Sequence, residues 1–186
     1  MKKGFLFSFL FLWFCSIFYL IANMHGFHLI SFKNSETEKN IKLEPIQEQW
    51  GLVHILAEGC GCSEIIADYL LKRKPQKNLH EQVLLLGETQ KYATKLNKSG
   101  YKVKISQELN GYIDGVPMLL IHNKAGEIKY SGGYAKTMVT PITKIQDLKI
   151  LKQIQSHIST EKLAVMGCAV SKKLQKEIDP LGLKYN

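Results

Sequence analysis

The hydrophobic and polar positions divide the chain into an unbroken apolar opening, a charged stretch, and a long region of short alternating and helical patterns. Residues 4–24 carry no charge and are rich in Phe, Leu and Ile. That run is long enough to cross a bilayer as one helix. From 25 to 49 the composition turns polar, as in Lys33-Asn34-Ser35-Glu36-Thr37-Glu38-Lys39-Asn40, and predicts a tether. A folded domain is expected over 50–158, followed by a C-terminal extension over 159–186.

Within the domain, Leu52, Val53, His54, Ile55 and Leu56 form a short apolar run suited to a buried strand. Ile65, Ile66, Tyr69 and Leu70 then recur at helical spacing until Pro75 closes the segment. A second strand is predicted over 82–86. A helix is predicted over 89–99, with Tyr92, Ala93 and Leu96 on one face and Gly100 as its stop. Residues 101–105 alternate as a third strand. Residues 115–121 and 127–131, joined through Asn123-Lys124-Ala125-Gly126, read as a hairpin. Thr140-Pro141 predicts the start of another helix, lined by Ile142, Ile145, Leu148, Leu151 and Ile154. The order β-α-β-α-β-β-β-α implies an α/β fold with a mixed sheet, parallel early and antiparallel late, flanked by helices.

Residue detail refines the opening segment. There is no A-x-A-like cleavage site, and Leu12-Trp13-Phe14 before Cys15 lacks the small residues expected ahead of a lipidated cysteine. An uncleaved transmembrane anchor is therefore predicted, with residues 1–3 as a short tail. Lys2 and Lys3 precede the span, and Lys33, Lys39 and Lys42 follow it. The short basic tail favours a cytoplasmic N-terminus, a single pass through the cytoplasmic membrane and an extracytoplasmic domain. Such a compartment permits disulfide chemistry.

The formal net charge of +9 raises a nucleic-acid reading, which the pattern excludes. Lys72-Arg73-Lys74, Lys95, Lys98, Lys102 and Lys104 are scattered among acidic residues, with no basic stripe of interleaved aromatics. A solvated basic face is the simpler account.

The candidate chemistry lies in Glu58-Gly59-Cys60-Gly61-Cys62-Ser63, where the first strand gives way to the first helical pattern. Unpaired N–H groups at a helix start favour a reactive thiolate. Two thiols at that place suit redox exchange or a soft metal ion. Glu58 reads as an exposed loop carboxylate, with proton acceptance during exchange as the alternative. Cys168, in Met166-Gly167-Cys168-Ala169, precedes a second helical pattern of Val170, Leu174 and Ile178 that Asp179-Pro180 closes. It is positioned to exchange with Cys60 or Cys62, to complete a three-sulfur site, or to sit as a semi-buried free thiol. His54 and His122 fall within or at the end of strands and read as structural. Ser131-Gly132-Gly133-Tyr134 reads as a loop.

The element order, cysteines at the first helix start, and Gly115-Val116-Pro117 before a late hairpin resemble the thioredoxin-like superfamily, and most closely its membrane-tethered envelope thiol-disulfide proteins. The resemblance spans roughly 50–157. It implies a cis Val116–Pro117 bond beside the cysteines, with Val116 and Gly61 meeting a bound peptide. It also implies Cys60 as the attacking thiol and Cys62 as the resolver, with a protein disulfide or dithiol as substrate and no cofactor. The chain departs from the family's Cys-x-x-Cys by one residue, and Glu58-Gly59 replaces the usual preceding tryptophan. A Cys-x-Cys disulfide closes a tighter, more strained and more oxidising ring. Gly61 is the residue best able to accommodate it. The alternative function is copper handling by Cys60, Cys62 and either Cys168 or His122.

Overall fold

The computed structural model describes residues 2–26, 31–32, 41, 43–87, 90–106, 113–180, 182 and 184–185. Thr89 and the lysines of the expected tether lie outside them. A first helix, α1 (Lys2–Gly26), covers the apolar opening, and a two-residue strand, β1 (Ser31–Phe32), follows. Large apolar side chains of α1, including Phe7, Phe11, Leu12 and Phe18, are exposed. Among the described residues, no helix is long and apolar enough to cross a membrane.

The domain is built on β2 (Trp50–Ala57), α2 (Gly61–Arg73), β3 (His80–Leu86), α3 (Gln90–Lys98) and β4 (Lys102–Ser106). Then come β5 (Gly115–Val116), β6 (Met118–Asn123), β7 (Ile128–Gly132) and α4 (Asp147–Gln155). The main sheet has the order β4-β3-β2-β6-β7. β2 runs parallel to β3, and β3 to β4, while β6 and β7 are antiparallel. β2 lies in the middle and is buried along nearly its whole length, which explains its unbroken apolar run. This is the mixed, helix-flanked sheet that the element order predicts.

The two faces of the sheet differ. Leu52, His54 and Leu56 share one face with Glu81, Val83 and Leu85, following the parallel register. α2 covers this face, and α3 packs beside it. On the other face, Val53, Ile55, Leu84 and Leu120 line a groove with Ile41, Leu43 and Pro45. Ile46 donates its N–H to the Lys124 carbonyl at 3.1 Å, so this end of the expected tether is docked on the domain.

The helix expected from Thr140 begins instead at Asp147. Thr140 and Thr143 close a local turn: the Thr143 N–H donates to the Thr140 carbonyl, and the Thr140 N–H donates to the Thr143 hydroxyl. Ile142, expected on the buried face, is 96% exposed. Capping residues at that position serve the turn rather than a helix.

The C-terminal extension forms β8 (Val165–Met166), β9 (Cys168–Ala169) and α5 (Lys172–Ile178). Its strands pair antiparallel with β1 and β5 respectively. The segment is therefore stitched to two separate parts of the chain.

A buried polar network holds α2 to the sheet. Glu81 has no exposed side-chain surface, and Arg73 donates two hydrogen bonds to it. His54 Nε2 lies 3.2 Å from the same carboxylate, and the Gln76 N–H donates to it at 2.6 Å. His54 Nδ1 is 2.9 Å from the Tyr134 hydroxyl. Arg73 also lies 3.3 Å from Asp147 at the start of α4, and Tyr69 donates to Asp147 at 2.8 Å. Burial alone would raise the Glu81 pKa, but hydrogen bonds from His54 and Arg73 outweigh it and hold the group at about 2.

A carboxyl with a depressed folded pKa stabilises the fold above its ordinary pKa and loses that contribution as the pH falls toward the folded value. Urea unfolding should therefore show stability falling from about pH 5 to about 2, and Glu81→Gln should flatten that slope. At neutral pH, Arg73→Met should cost about 3 kcal/mol, because it leaves a buried carboxylate without its cation. A loss below half of that would show the network to be dispensable.

Candidate functional site

The cysteine loop sits at the C-terminal end of β2. Glu58 and Gly59 make the turn, with Gly59 at φ 67°, a left-handed conformation that favours glycine. The Glu58 N–H donates to the Leu86 carbonyl at 3.0 Å, and the Ala57 N–H donates to the Ser63 hydroxyl at 3.1 Å. These bonds fix the first turn of α2 against the ends of β2 and β3. Cys60 is the N-cap residue with extended backbone angles, and Cys62 lies within the first helical turn.

Gly61 lies between two free thiols. It is exposed, has no atom within 4 Å of where a Cβ would stand, and lies within the helix. In this state the backbone needs glycine at 59, not at 61. Gly61→Ala should therefore fold normally and gain up to about 1 kcal/mol in urea unfolding, whereas a marked loss would show that Gly61 carries strain.

Both cysteines of the loop are nearly closed off from solvent, Cys60 at 1% and Cys62 at 7%. The Val116–Pro117 bond is cis, as the resemblance implies. Cys60 Sγ lies 3.8 Å from the Val116 carbonyl and Cys62 Sγ lies 3.7 Å from the Val139 carbonyl. Val116 is fully buried, and its register partner is Cys168. The backbone expected to meet a bound peptide is thus already paired with the chain's own β9.

That pairing brings a third sulfur to the site. Cys168 is 6% exposed, and its strand sets it opposite Val116, whose carbonyl Cys60 Sγ faces. A Cβ on Gly167 would stand 2.0 Å from the Val116 carbonyl oxygen, so only glycine permits this approach. Lys184 Nζ lies 3.7 Å from Cys168 Sγ. Asp179 holds Lys184 in place by accepting its N–H at 2.7 Å and that of Tyr185 at 2.9 Å.

The electrostatics single out Cys60. Hydrogen bonds from the Cys168 and Cys62 thiols lower its pKa, outweighing burial, and the Ser63 hydroxyl and N–H add to them. Donating to Cys60 raises the pKa values of Cys62 and Cys168, and burial raises both further. Charge on the three sulfurs is therefore favoured at Cys60 over Cys62 and Cys168. Cys168 stands in β9, ahead of the Ser171 cap of α5, and Lys184 is the cation beside it.

Ultraviolet thiolate absorbance of the reduced protein should persist below pH 7, and Cys60→Ser should remove that acid-stable component. An ordinary thiol, with a pKa of about 8.5, would lose nearly all its thiolate by pH 6. Absorbance that rises only through the ordinary range would contradict a shared thiolate.

The remaining candidates are placed elsewhere. His122 pairs in register with Gly51, at the opposite end of β2 from the cysteines. About six residues of strand, ~20 Å, separate those ends. His54 belongs to the buried network. Glu58 is exposed at the loop and lines a small pocket with Ser63, Glu64 and Tyr92. Among the described residues, no group of three or more His, Cys, Asp or Glu side chains is arranged to hold a metal ion. Gly132 and Gly133 make room for the C-terminal segment: a Cβ on Gly133 would stand 2.1 Å from the Ala164 carbonyl oxygen. Sequence reasoning left out Lys184, Val139 and Gly167. Only Gly167 carried a signal, as a glycine directly before a cysteine.

The sheet order, the cysteines at the start of α2 and the cis proline before β6 together fit a thioredoxin-like fold. No family model and no curated protein matches the chain. Among solved structures, the chain is similar to an uncharacterized conserved protein from Geobacillus kaustophilus, at 10% identity and a TM-score of 0.53 over 67% of this chain and 77% of that one. It is also similar to a hypothetical protein from Sinorhizobium meliloti 1021, at 12% identity and 0.51, over 66% and 79%. A thioredoxin domain of a thiol-disulfide oxidoreductase from Bacteroides vulgatus superposes at 17% identity over 61% and 81%, but its TM-score of 0.39 is too loose to bear on chemistry.

Proposed function

We propose that the protein is a membrane-anchored thiol-disulfide oxidoreductase that exchanges disulfides with a protein partner in the cell envelope. The carrying observation is the gathering of three buried cysteines at one helix start: Cys60 as the N-cap of α2, Cys62 in its first turn, and Cys168 in register with Val116, whose carbonyl Cys60 faces. A thiolate is the attacking species in exchange, and a neighbouring thiol is needed to resolve the mixed disulfide. Cys60 supplies the attack, and the helix start and the Ser63 hydroxyl stabilise its charge. Pro117 packs beside Gly167, and the carbonyl of Val116 before it faces Cys60. Gly61 leaves open space at the helix start through which a partner sulfur can approach.

The anchor belongs to the same reading. The full apolar run over 4–24 spans the bilayer, with the domain on the extracytoplasmic side. Exposed apolar side chains along α1 support this, since a contiguous patch of that kind marks a membrane or protein interface. The copper-handling alternative keeps only its sulfur ligands, Cys60, Cys62 and Cys168, because His122 stands at the far end of the sheet from the cysteines.

Mass shifts after thiol alkylation, compared across glutathione buffers, should show two thiols among Cys60, Cys62 and Cys168 interconverting as a pair. If none of the three changes state, the exchange reading fails. Anaerobic titration of the reduced protein with copper(I) should give weak binding, and tight stoichiometric binding lost in Cys60→Ser would favour copper handling instead.

A further inference from the structure

β5 is a two-residue strand beside a reactive thiol, and such edges accept extended peptides by strand addition. Here the edge is filled from within the chain. β9 pairs with it through Gly115↔Ala169 and Val116↔Cys168, and the Val170 N–H extends the contact by donating to the Asp114 carbonyl at 2.9 Å. Further bonds hold the segment at both ends. The Gly133 N–H donates to the Leu163 carbonyl at 2.9 Å, the Ser171 hydroxyl donates to the Asp114 carboxylate at 3.1 Å, and the Ala169 N–H donates to the Tyr185 hydroxyl at 3.0 Å. The cysteine so presented is paired with the residue whose carbonyl Cys60 faces.

The two possible partners of Cys60 differ in what a bond would require. Cys60 and Cys62 bracket one residue at the start of α2, and Cys62 Sγ faces the Val139 carbonyl. Joining them would distort the first turn, and disulfides tolerate little departure from their own geometry. Cys168 arrives on a separate segment, across a strand contact, with Lys184 beside its sulfur to favour the attacking thiolate.

We infer that Cys168, not Cys62, is the resolving thiol, and that Cys60 and Cys168 form the working disulfide, with β9 occupying the edge that a partner's strand would otherwise take. This rests on the thiol-exchange reading. The Cys60 thiolate attacks one sulfur of a partner disulfide, forms a mixed disulfide, and releases the other partner sulfur as a thiolate. That thiolate takes the Cys168 proton. Cys168 then attacks Cys60 Sγ, forms the Cys60–Cys168 bond, and expels the second partner sulfur as a thiolate. Two electrons pass to the partner, whose disulfide becomes a dithiol, and the protein's two thiols become its disulfide. The reverse reaction runs through the same intermediate.

The test uses full-length protein in detergent micelles, equilibrated in glutathione buffers, quenched in acid, alkylated and mapped by mass spectrometry. Wild type should carry a Cys60–Cys168 bond, and Cys62→Ala should keep it. Cys168→Ser should lose it and accumulate the Cys60–glutathione mixed disulfide at least about tenfold. A Cys60–Cys62 bond in wild type, or loss of the intramolecular bond in Cys62→Ala, overturns the inference. If Cys168→Ser does not fold, the wild-type map and Cys62→Ala still decide. Wild type with no thiol changing state removes the exchange reading itself, a separate result from a bond between the wrong pair.

Discussion

Glu81 is a carboxylate without access to water, and the placement of α2 depends on how that charge is satisfied. A buried ion is tolerated only when paired and fully hydrogen-bonded. Arg73, at the last turn of α2, is its main partner, while His54 reaches it from β2 and Gln76 from the connection into β3. The same guanidinium faces Asp147 at the start of α4. One charge network therefore fixes the far end of α2 against two strands and another helix. Since the helix is rigid over its length, fixing that end also aims its N-terminus, and with it Cys60, past the end of β2 toward Val116.

At that N-terminus the problem is reversed, because the site must keep a charge available instead of neutralising it. Burial alone would favour the protonated thiol. Two neighbouring thiols, the Ser63 hydroxyl and a backbone N–H offset that cost by donating to one sulfur. The arrangement is asymmetric, since each donor becomes harder to ionise as Cys60 becomes easier. Lys184 acts against this at Cys168 and Cys62, lowering what their neighbours raise. A second thiolate is thus disfavoured while Cys60 is charged and becomes accessible once Cys60 is covalently engaged.

Much of this was legible in the sequence, and the failures have physical causes. The apolar run of β2, the helical spacing after Cys62 and the hairpin around Gly126 all follow from periodicity, because each element buries a regular face. Thr140-Pro141 misled because a capping sequence and a hydroxyl-closed turn use the same residues, and only tertiary packing chooses between them. Glu81 gave no warning, since one acidic residue near the start of a strand looks exposed until its cation is found in another element. The Cys60 and Cys62 junction could be read because it combines a strand end with a helix start. Cys168 could be singled out as a candidate exchange partner, but the pairing of β9 with β5 could not be read, because strands of two residues have no period and the pairing joins segments about fifty residues apart along the chain. Lys184 was equally silent, lying beyond Pro180 with no pattern to connect it to a thiol.

The shortened Cys-Gly-Cys spacing and the C-terminal strand belong together. Removing one residue from the usual motif leaves the second thiol within the first turn of α2, turned toward Val139, where bonding to Cys60 competes with the helix. A strand that brings a sulfur from elsewhere meets no such competition, because its backbone already pairs with Val116 when its side chain meets Cys60. The cost falls on Gly167, where the approach to Val116 leaves no space for a side chain, and on the residues that hold the segment down. The same strand closes the Val116 side of the site, so a partner sulfur approaches Cys60 through the open space at Gly61. Resolution and shielding of the Val116 edge are then two consequences of one short strand contact, and weakening that contact exposes the edge while removing the thiol that would complete the exchange.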